Sequence, residues 1–405
     1  MKAGRISAAG IREFHGDESG AVTFFFVFGL IALVFLLALI FNTSKQTIRK
    51  MEMQGAADSA ARAGGVTAGR AMNLMTFNNR GMAQTIAVMM SVRALLQTSE
   101  VMVVVLPQLA ARVGLLNPAL AAQLLREAAA YGRLIVILTP INRNVTQLGW
   151  RVMNALDAMN RGVKQTFPIL AQQKAIEFAR LNGADEAPYS VLLAGLPAAP
   201  PLLFPVARGP QKLLIVNRDK CLKDSLDIAA FAVLVKTGPL SSLLALYVYK
   251  GLFECNAATL NGGGGLCGIF GFRTPMLSWP ANPPRPMILT DRPSRSASAT
   301  VEVDEAKADL LKVRQYLQFL SLTFGRLPAE SSIGNRYFEN PARRWFTYAE
   351  ADVYNPTRWS MFTQDWRAKI ARSNVFNQKI AEIGNYAGAQ GIAGSASDWS
   401  FVNVH

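Results

Sequence analysis

The sequence predicts a mainly α protein with a smaller α+β C-terminal part, in which a single N-terminal transmembrane helix continues into a long helix and a helical bundle. Three observations carry that reading. Residues 21–41 form an unbroken apolar run, residues 42–106 contain no proline and repeat small residues at helical spacing, and a strand-like stretch, Arg344–Tyr354, lies near the C-terminus.

The run Ala21–Phe41 has no charge, and only Thr23 and Gly29 interrupt its apolar character. At about 1.5 Å per helical residue it covers roughly 30 Å, the hydrocarbon thickness of a bilayer. Continuous apolarity excludes the alternating pattern of a barrel strand. A cleaved secretory signal is the main competitor, but its apolar region spans about 7 to 15 residues and closes at a small-x-small site. This run is longer and passes into Phe41-Asn42-Thr43-Ser44-Lys45-Gln46 without an Ala-x-Ala. A retained anchor is therefore expected. Lys2, Arg5 and Arg12 before it balance Lys45, Arg49 and Lys50 after it, so the flanking charge leaves orientation open.

Beyond the span, Ala57, Ala60, Ala61, Gly64, Ala68 and Ala71 make a narrow stripe against which another backbone can approach closely. Gly64, Gly65 and Gly69 each cost a helix about 1 kcal/mol against alanine, so packing must compensate there. The stripe is a candidate helix-packing or assembly interface, serving either the chain's own hairpin or a partner's membrane helix. Next comes a polar cluster, Asn73, Asn78, Asn79 and Arg80, in otherwise apolar surroundings. Buried amides need partners, so the cluster braces the chain's own later helices or meets another protein.

From Thr85 to Arg180 two or three further helices are expected, punctuated at Pro107, Asn117-Pro118 and Thr139-Pro140. Val101–Leu116 and Leu134–Leu138 are apolar but too short or too interrupted to span, and read as core. Six prolines between 183 and 213 mark the best domain boundary. The expected organisation is a tail over 1–20, the span over 21–41, a helical stalk or bundle over 42–182, and a mixed, mainly α part over 183–405. Within that last part, Leu226–Leu252 reads as a buried helical hairpin, 256–298 as a Gly/Pro-rich loop, Glu302–Phe324 as an amphipathic helix and Gln378–Ala389 as a short helix.

The net charge of +15 lies wholly in residues 42–405, because residues 1–41 carry three basic and three acidic side chains. A basic surface favours anionic lipid, cell-wall polymer or nucleic acid, but no run of four basic residues occurs. The only histidines, His15 and His405, lie at the chain's ends, which removes histidine-based nucleophilic catalysis and His-ligated zinc hydrolysis. Gly263-x-Gly265-x-x-Gly268 matches the dinucleotide fingerprint but lacks the strand and helix that it needs, and no Gly-Lys-Ser/Thr phosphate loop exists. Glu350 and Asp352 share one face of the expected strand, which suits a solvated face better than a glycosidase pair. Arg343-Arg344-Trp345-Phe346 and Trp359–Arg367 interleave basic and aromatic residues, and strand packing explains them as well as nucleic-acid stacking does. No cofactor or metal is expected, and the chain is not expected to be an enzyme. Of three cysteines, Cys255 and Cys267 flank a glycine run and could close a disulfide loop, leaving Cys221 free.

Asp17-Glu18-Ser19-Gly20-Ala21-Val22 leading into the span, followed by Gln54-Gly55-Ala56-Ala57-Asp58-Ser59-Ala60-Ala61, resembles the TadE/TadG-like proteins of bacterial Flp (Tad, type IVc) pilus assembly. Ala71–Met82, Ala349–Pro356 and Asp365–Ile370 resemble segments of the longer members. Phe25 and Ala21 stand where related prepilins carry Glu after their peptidase glycine, here Gly20 or Gly16. Asp291–Ser296 misses the metal spacing of a von Willebrand A domain by one, so no metal is carried over. The resemblance implies a single-pass inner-membrane protein with a short cytoplasmic tail and a periplasmic body. It also points to a non-enzymatic role beside other pilus-assembly membrane proteins or pilins and the bilayer, and the basic charge adds an anionic envelope polymer as a further expected contact. The alternatives are a membrane-anchored cell-wall enzyme and a surface DNA-binding protein.

Overall fold

The computed structural model describes residues 18–183, 206–209, 220–261, 273–289, 318–326, 344–357 and 360–370. Two helices dominate it. Helix α1 runs from Glu18 to Val113 without a break, and α2 returns from Pro118 to Leu181. At about 1.5 Å per residue, α1 is on the order of 140 Å long. Among the described residues it alone is long and apolar enough to cross a membrane.

The two helices form an antiparallel hairpin, as the pairings of Ala61 with the Ala175 region, Asn78 with Asn160 and Gly149 with Met89 require. The turn between them is set locally. Gly114 N–H closes on Ala110 O, Asn117 accepts from Leu120 N at 3.1 Å as the N-cap, and Pro118 occupies the first helical turn, where its missing N–H costs nothing. At the far end α2 stops at Gly183, whose φ of 86° is a left-handed conformation that suits glycine.

Helices do not end at every proline. The expected breaks at Pro107 and Thr139-Pro140 are corrected: both lie inside continuous helix, as does Pro168. An internal proline removes a hydrogen bond and costs about 3 kcal/mol, which long, packed helices can absorb. Of the three expected breaks, Asn117-Pro118 alone combines a cap with a proline, and there the chain turns from α1 into α2.

The expected hairpin over Leu226–Leu252 is present as α3, Lys220–Thr237, and α4, Ser242–Leu260. It is buried on one side only, since Ile228, Leu243 and Tyr247 are exposed. Leu134–Leu138 is likewise half core, with Leu138 buried and Val136 and Ile137 outside. The loop expected from 256 starts later, because Asn256–Leu260 complete α4. The main core joins Met82, Met89, Met90 and Met102 of α1 to Leu124, Tyr131 and Met153 of α2 and to Leu234, Tyr249 and Leu252 of the hairpin. Methionine's flexible thioether suits these irregular contacts, as where Gly149 leaves room for Met89.

Glu127 fixes the α3–α4 turn. Its carboxylate accepts Leu240 N–H at 2.9 Å and Ser241 N–H at 3.0 Å, supplying the N-terminus of α4 with the cap that Ser241's own side chain does not give. Gly238 is required beside it, since a Cβ would lie 2.8 Å from the Tyr131 ring. Glu127→Ala strands two N–H groups, one of them on buried Ser241, and is expected to cost about 2 kcal/mol, with Glu127→Gln between it and wild type. An unchanged melting temperature in Glu127→Ala would show that the cap is not holding the hairpin.

The strands form two small antiparallel sheets. β1, Val206–Arg208, pairs with β2, Met287–Leu289, which lies inside the stretch expected to be loop. β3, Gln318–Arg326, pairs with β4, Arg344–Tyr354, and β4 pairs with β5, Arg367–Ile370. β4 has the bounds expected of it. β3 corrects the amphipathic helix expected over Glu302–Phe324, whose earlier part lies outside the described residues. Leu320, Leu322 and Phe324 alternate with Ser321, Thr323 and Gly325, a period-2 pattern that nine antiparallel partners on β4 select. The helix expected over Gln378–Ala389 also lies outside the described residues.

Candidate functional site: the anchor and its braced strut

Every apolar side chain described from Val22 to Phe41 is exposed apart from Ala38, which is intermediate. The following stretch, to Glu52, is mostly exposed, and within it Arg49 pairs with Glu52 at 2.9 Å. The helix from Val22 to Glu52 is about 46 Å long. The body begins at Met53, which is 1% exposed and whose carbonyl accepts from Thr347 Oγ1 of β4 at 2.9 Å. Span and body therefore share one continuous helix.

The small-residue stripe lies where α1 enters the body. Ala57, Ala60 and Ala61 are fully buried against Ala171, Ala175 and Ala179 of α2 and Ala349 and Ala351 of β4. Gly64 and Gly65 are buried and Ala68 is half-buried. A Cβ on Gly65 would stand 2.9 Å from Ala351 Cβ and 3.2 Å from Ala368 Cβ, and one on Gly69 3.4 Å from Trp366 O. The stripe seats the chain's own sheet, the close packing that offsets the poor helix propensity of its glycines. Within the same stretch, Gln54 Nε2 donates to Asp58 Oδ1 at 3.0 Å, one helical turn along, while burial raises the Asp58 carboxyl above its ordinary pKa.

Above the stripe the asparagines act as braces. Asn73 donates to Trp366 O at 3.0 Å and accepts Trp366 N–H at 2.9 Å, pairing with the backbone just before β5 as a strand would. Asn79 donates to Met287 O at 2.7 Å and Met361 O at 3.0 Å, and accepts Met287 N–H at 3.0 Å. Asn160 of α2 bridges the pair, donating to Asn79 Oδ1 at 3.0 Å and accepting from Asn78 Nδ2 at 2.9 Å. One turn of α1 thus ties together α2, β2 and the 360–366 loop. Arg80, beside them, is exposed.

Asn160 and Asp157, which receives Arg208 at 2.7 Å, were not singled out in the sequence, although their i, i+3 spacing on the apolar face of α2 marks a polar pair turned inward. Higher on α1, Gln97 donates to Thr274 O at 3.1 Å and accepts from Asn256 at 2.8 Å, and Glu100 accepts Arg273 and Thr274 N–H. These bonds fasten residues 273–277 to the strut in place of a sheet.

Among the described residues, the carboxylates of Glu100, Glu127 and Asp157 are thus held in structural bonds. Among the described residues, no three of His, Cys, Asp and Glu gather as a metal site would require. Asp352 is half-buried on β4, while Arg343 and Trp359 lie outside the described residues. Cys255 is disulfide-bonded and Cys221 free and exposed, and Cys267 lies outside the described residues. Tyr249, buried and bonded to Ser91 at 2.9 Å, has its hydroxyl pushed up to about 12 by desolvation. The geometry provides mechanical bracing of a helix whose N-terminal part is long and apolar enough to cross a membrane.

No curated protein and no solved structure significantly matches this chain. Residues 20–71, from the start of the apolar span through the small-residue stripe, match the family model of Tad, the putative Flp pilus-assembly TadE/G-like proteins.

Proposed function

We propose that the chain is a membrane-anchored, non-enzymatic assembly component, or minor-pilin-like subunit, of a Tad/Flp-type pilus or secretion system. The observation that carries this reading is the position of the family match. It covers the exposed span and the stripe on which the body is built, the two parts that join membrane to body on one helix. In this reading the short N-terminal tail is cytoplasmic, residues 42–405 are periplasmic in a bacterial inner membrane, and the partners are other pilus-assembly membrane proteins or pilins.

Deleting the gene in the parent bacterium and counting surface pili by electron microscopy tests the role. Loss of pili, restored by the wild-type gene, is expected. Normal piliation with altered cell-wall composition would replace the assembly role with an envelope enzyme. An oxidising periplasm also suits a Cys255–Cys267 bond, which would be worth about 3 kcal/mol in the chain-entropy model. Alkylation of one thiol per chain in unfolded, unreduced protein is expected, and labelling of three would reject the bond.

A further inference from the structure

The outer face of α2 is unlike a solvated helix surface. Ile137, Ile141, Leu148, Val152 and Met159 are between 39% and 63% exposed. Their spacings of 4 and 11 residues keep them on one side of the helix, because 11 residues complete about three turns. The line extends for about 33 Å. Roughly 60° round the helix runs a row of exposed cations that includes Arg133 and Arg151, with Arg126 before them and Arg143 and Arg161 on the adjoining flank. Of the three acids on α2, Glu127 and Asp157 are buried, which leaves Glu177 near the C-terminal end as the exposed one.

We infer that this face docks an acidic amphipathic helix of another envelope protein, its apolar edge on the Ile137–Met159 line and its carboxylates along the arginine row. The inference names the class of partner for the assembly role proposed above and rests on that reading. Charge selects the occupant. A second copy would bring its own arginines to the contact with no exposed acid between Arg126 and Arg161 to meet them, so self-association on this face is opposed by like charge. An apolar line at helical spacing suits helix-in-groove recognition, in which a few anchors give affinity and flanking charge sets the partner.

The test uses the full-length protein in detergent micelles and a labelled helical peptide of about 22 residues, with leucines at spacings of 4 and 11 and a flanking row of glutamates. A control peptide carries lysine for each glutamate. The acidic peptide is expected to bind and to weaken about tenfold between roughly 0.05 and 0.5 M salt, and the lysine peptide is not. Leu148→Ser should weaken binding about tenfold with the melting temperature unchanged. Arg133→Glu with Arg151→Glu should reverse the preference toward the lysine peptide, a switch that loss of folding cannot produce. Failure of the acidic peptide to bind, or equal binding of both peptides, overturns the inference. So does a photo-crosslink from position 148, in cells, to a second copy, to lipid, or to the chain's own acidic stretch Glu302–Asp309. If pili vanish on gene deletion while these tests fail, the assembly role stands and this docking face does not.

Discussion

Asn79→Ala is expected to lower the stability of the body by about 3 to 5 kcal/mol, the larger of the two strongest effects foreseen. The side chain is fully buried, and its amide satisfies both backbone groups of Met287, the carbonyl of Met361 and the side chain of Asn160. Alanine leaves all four without that partner in a site that water does not reach. Removing one member of a buried network costs the desolvation of everything it served, more than one hydrogen bond. Asn79→Asp separates the roles, since it keeps the acceptor for Met287 N–H and loses the donor to the two carbonyls. Limited proteolysis should cut Asn79→Ala near β2 and the 360–366 loop before it cuts α1. A variant with the wild-type denaturation midpoint would mean that the brace carries no load.

Gly65→Val is expected to cost about 3 kcal/mol by overpacking. Its Cβ would sit against the Cβ atoms of Ala351 and Ala368, which belong to two hydrogen-bonded strands, so relief requires the sheet to lift from α1. Gly55, ten residues earlier on the same helix, is the control. A Cβ there meets nothing within 4 Å, and Gly55→Ala should stabilise the helix by about 1 kcal/mol. Equal effects at the two positions, read from urea denaturation of the detergent-solubilised protein, would contradict the seating of the sheet on the stripe.

The elements most legible in the sequence are those fixed by local pattern. The apolar run, the proline-free stretch beyond it, the hairpin around Gly238-Pro239 and the bounds of β4 follow from periodicity and turn chemistry. The small residues from Ala57 to Ala68 announce close packing, but not against what. Their partners are alanines more than 100 residues away on α2 and nearly 300 away on β4, which only the folded chain brings together. The asparagines announce buried bonds in the same limited way, and the key fourth member, Asn160, is one of many polar residues on α2 until its partner Asn78 is placed opposite. Pro107 and Pro140 mislead because a proline's cost can be met by packing that no local window contains. β3 misleads because Leu317, Leu320 and Phe324 fit a helical stripe as well as Leu320, Leu322 and Phe324 fit a strand. Pairing with β4 decides between them.

In the topology proposed above, in which α1 crosses the membrane once, His405 lies on the far side from Lys2. The direct measurement is a pair of fusions at His405, one to a phosphatase active only in the periplasm and one to a reporter active only in the cytoplasm. Each is made in full-length protein that is first shown to resist carbonate extraction and to retain its N-terminal residues. The expected result is phosphatase activity, a silent cytoplasmic reporter and a membrane-bound chain of full length. Activity of the cytoplasmic reporter alone, or release of a body cleaved after the span, would contradict the anchored strut on which the bracing and assembly readings depend.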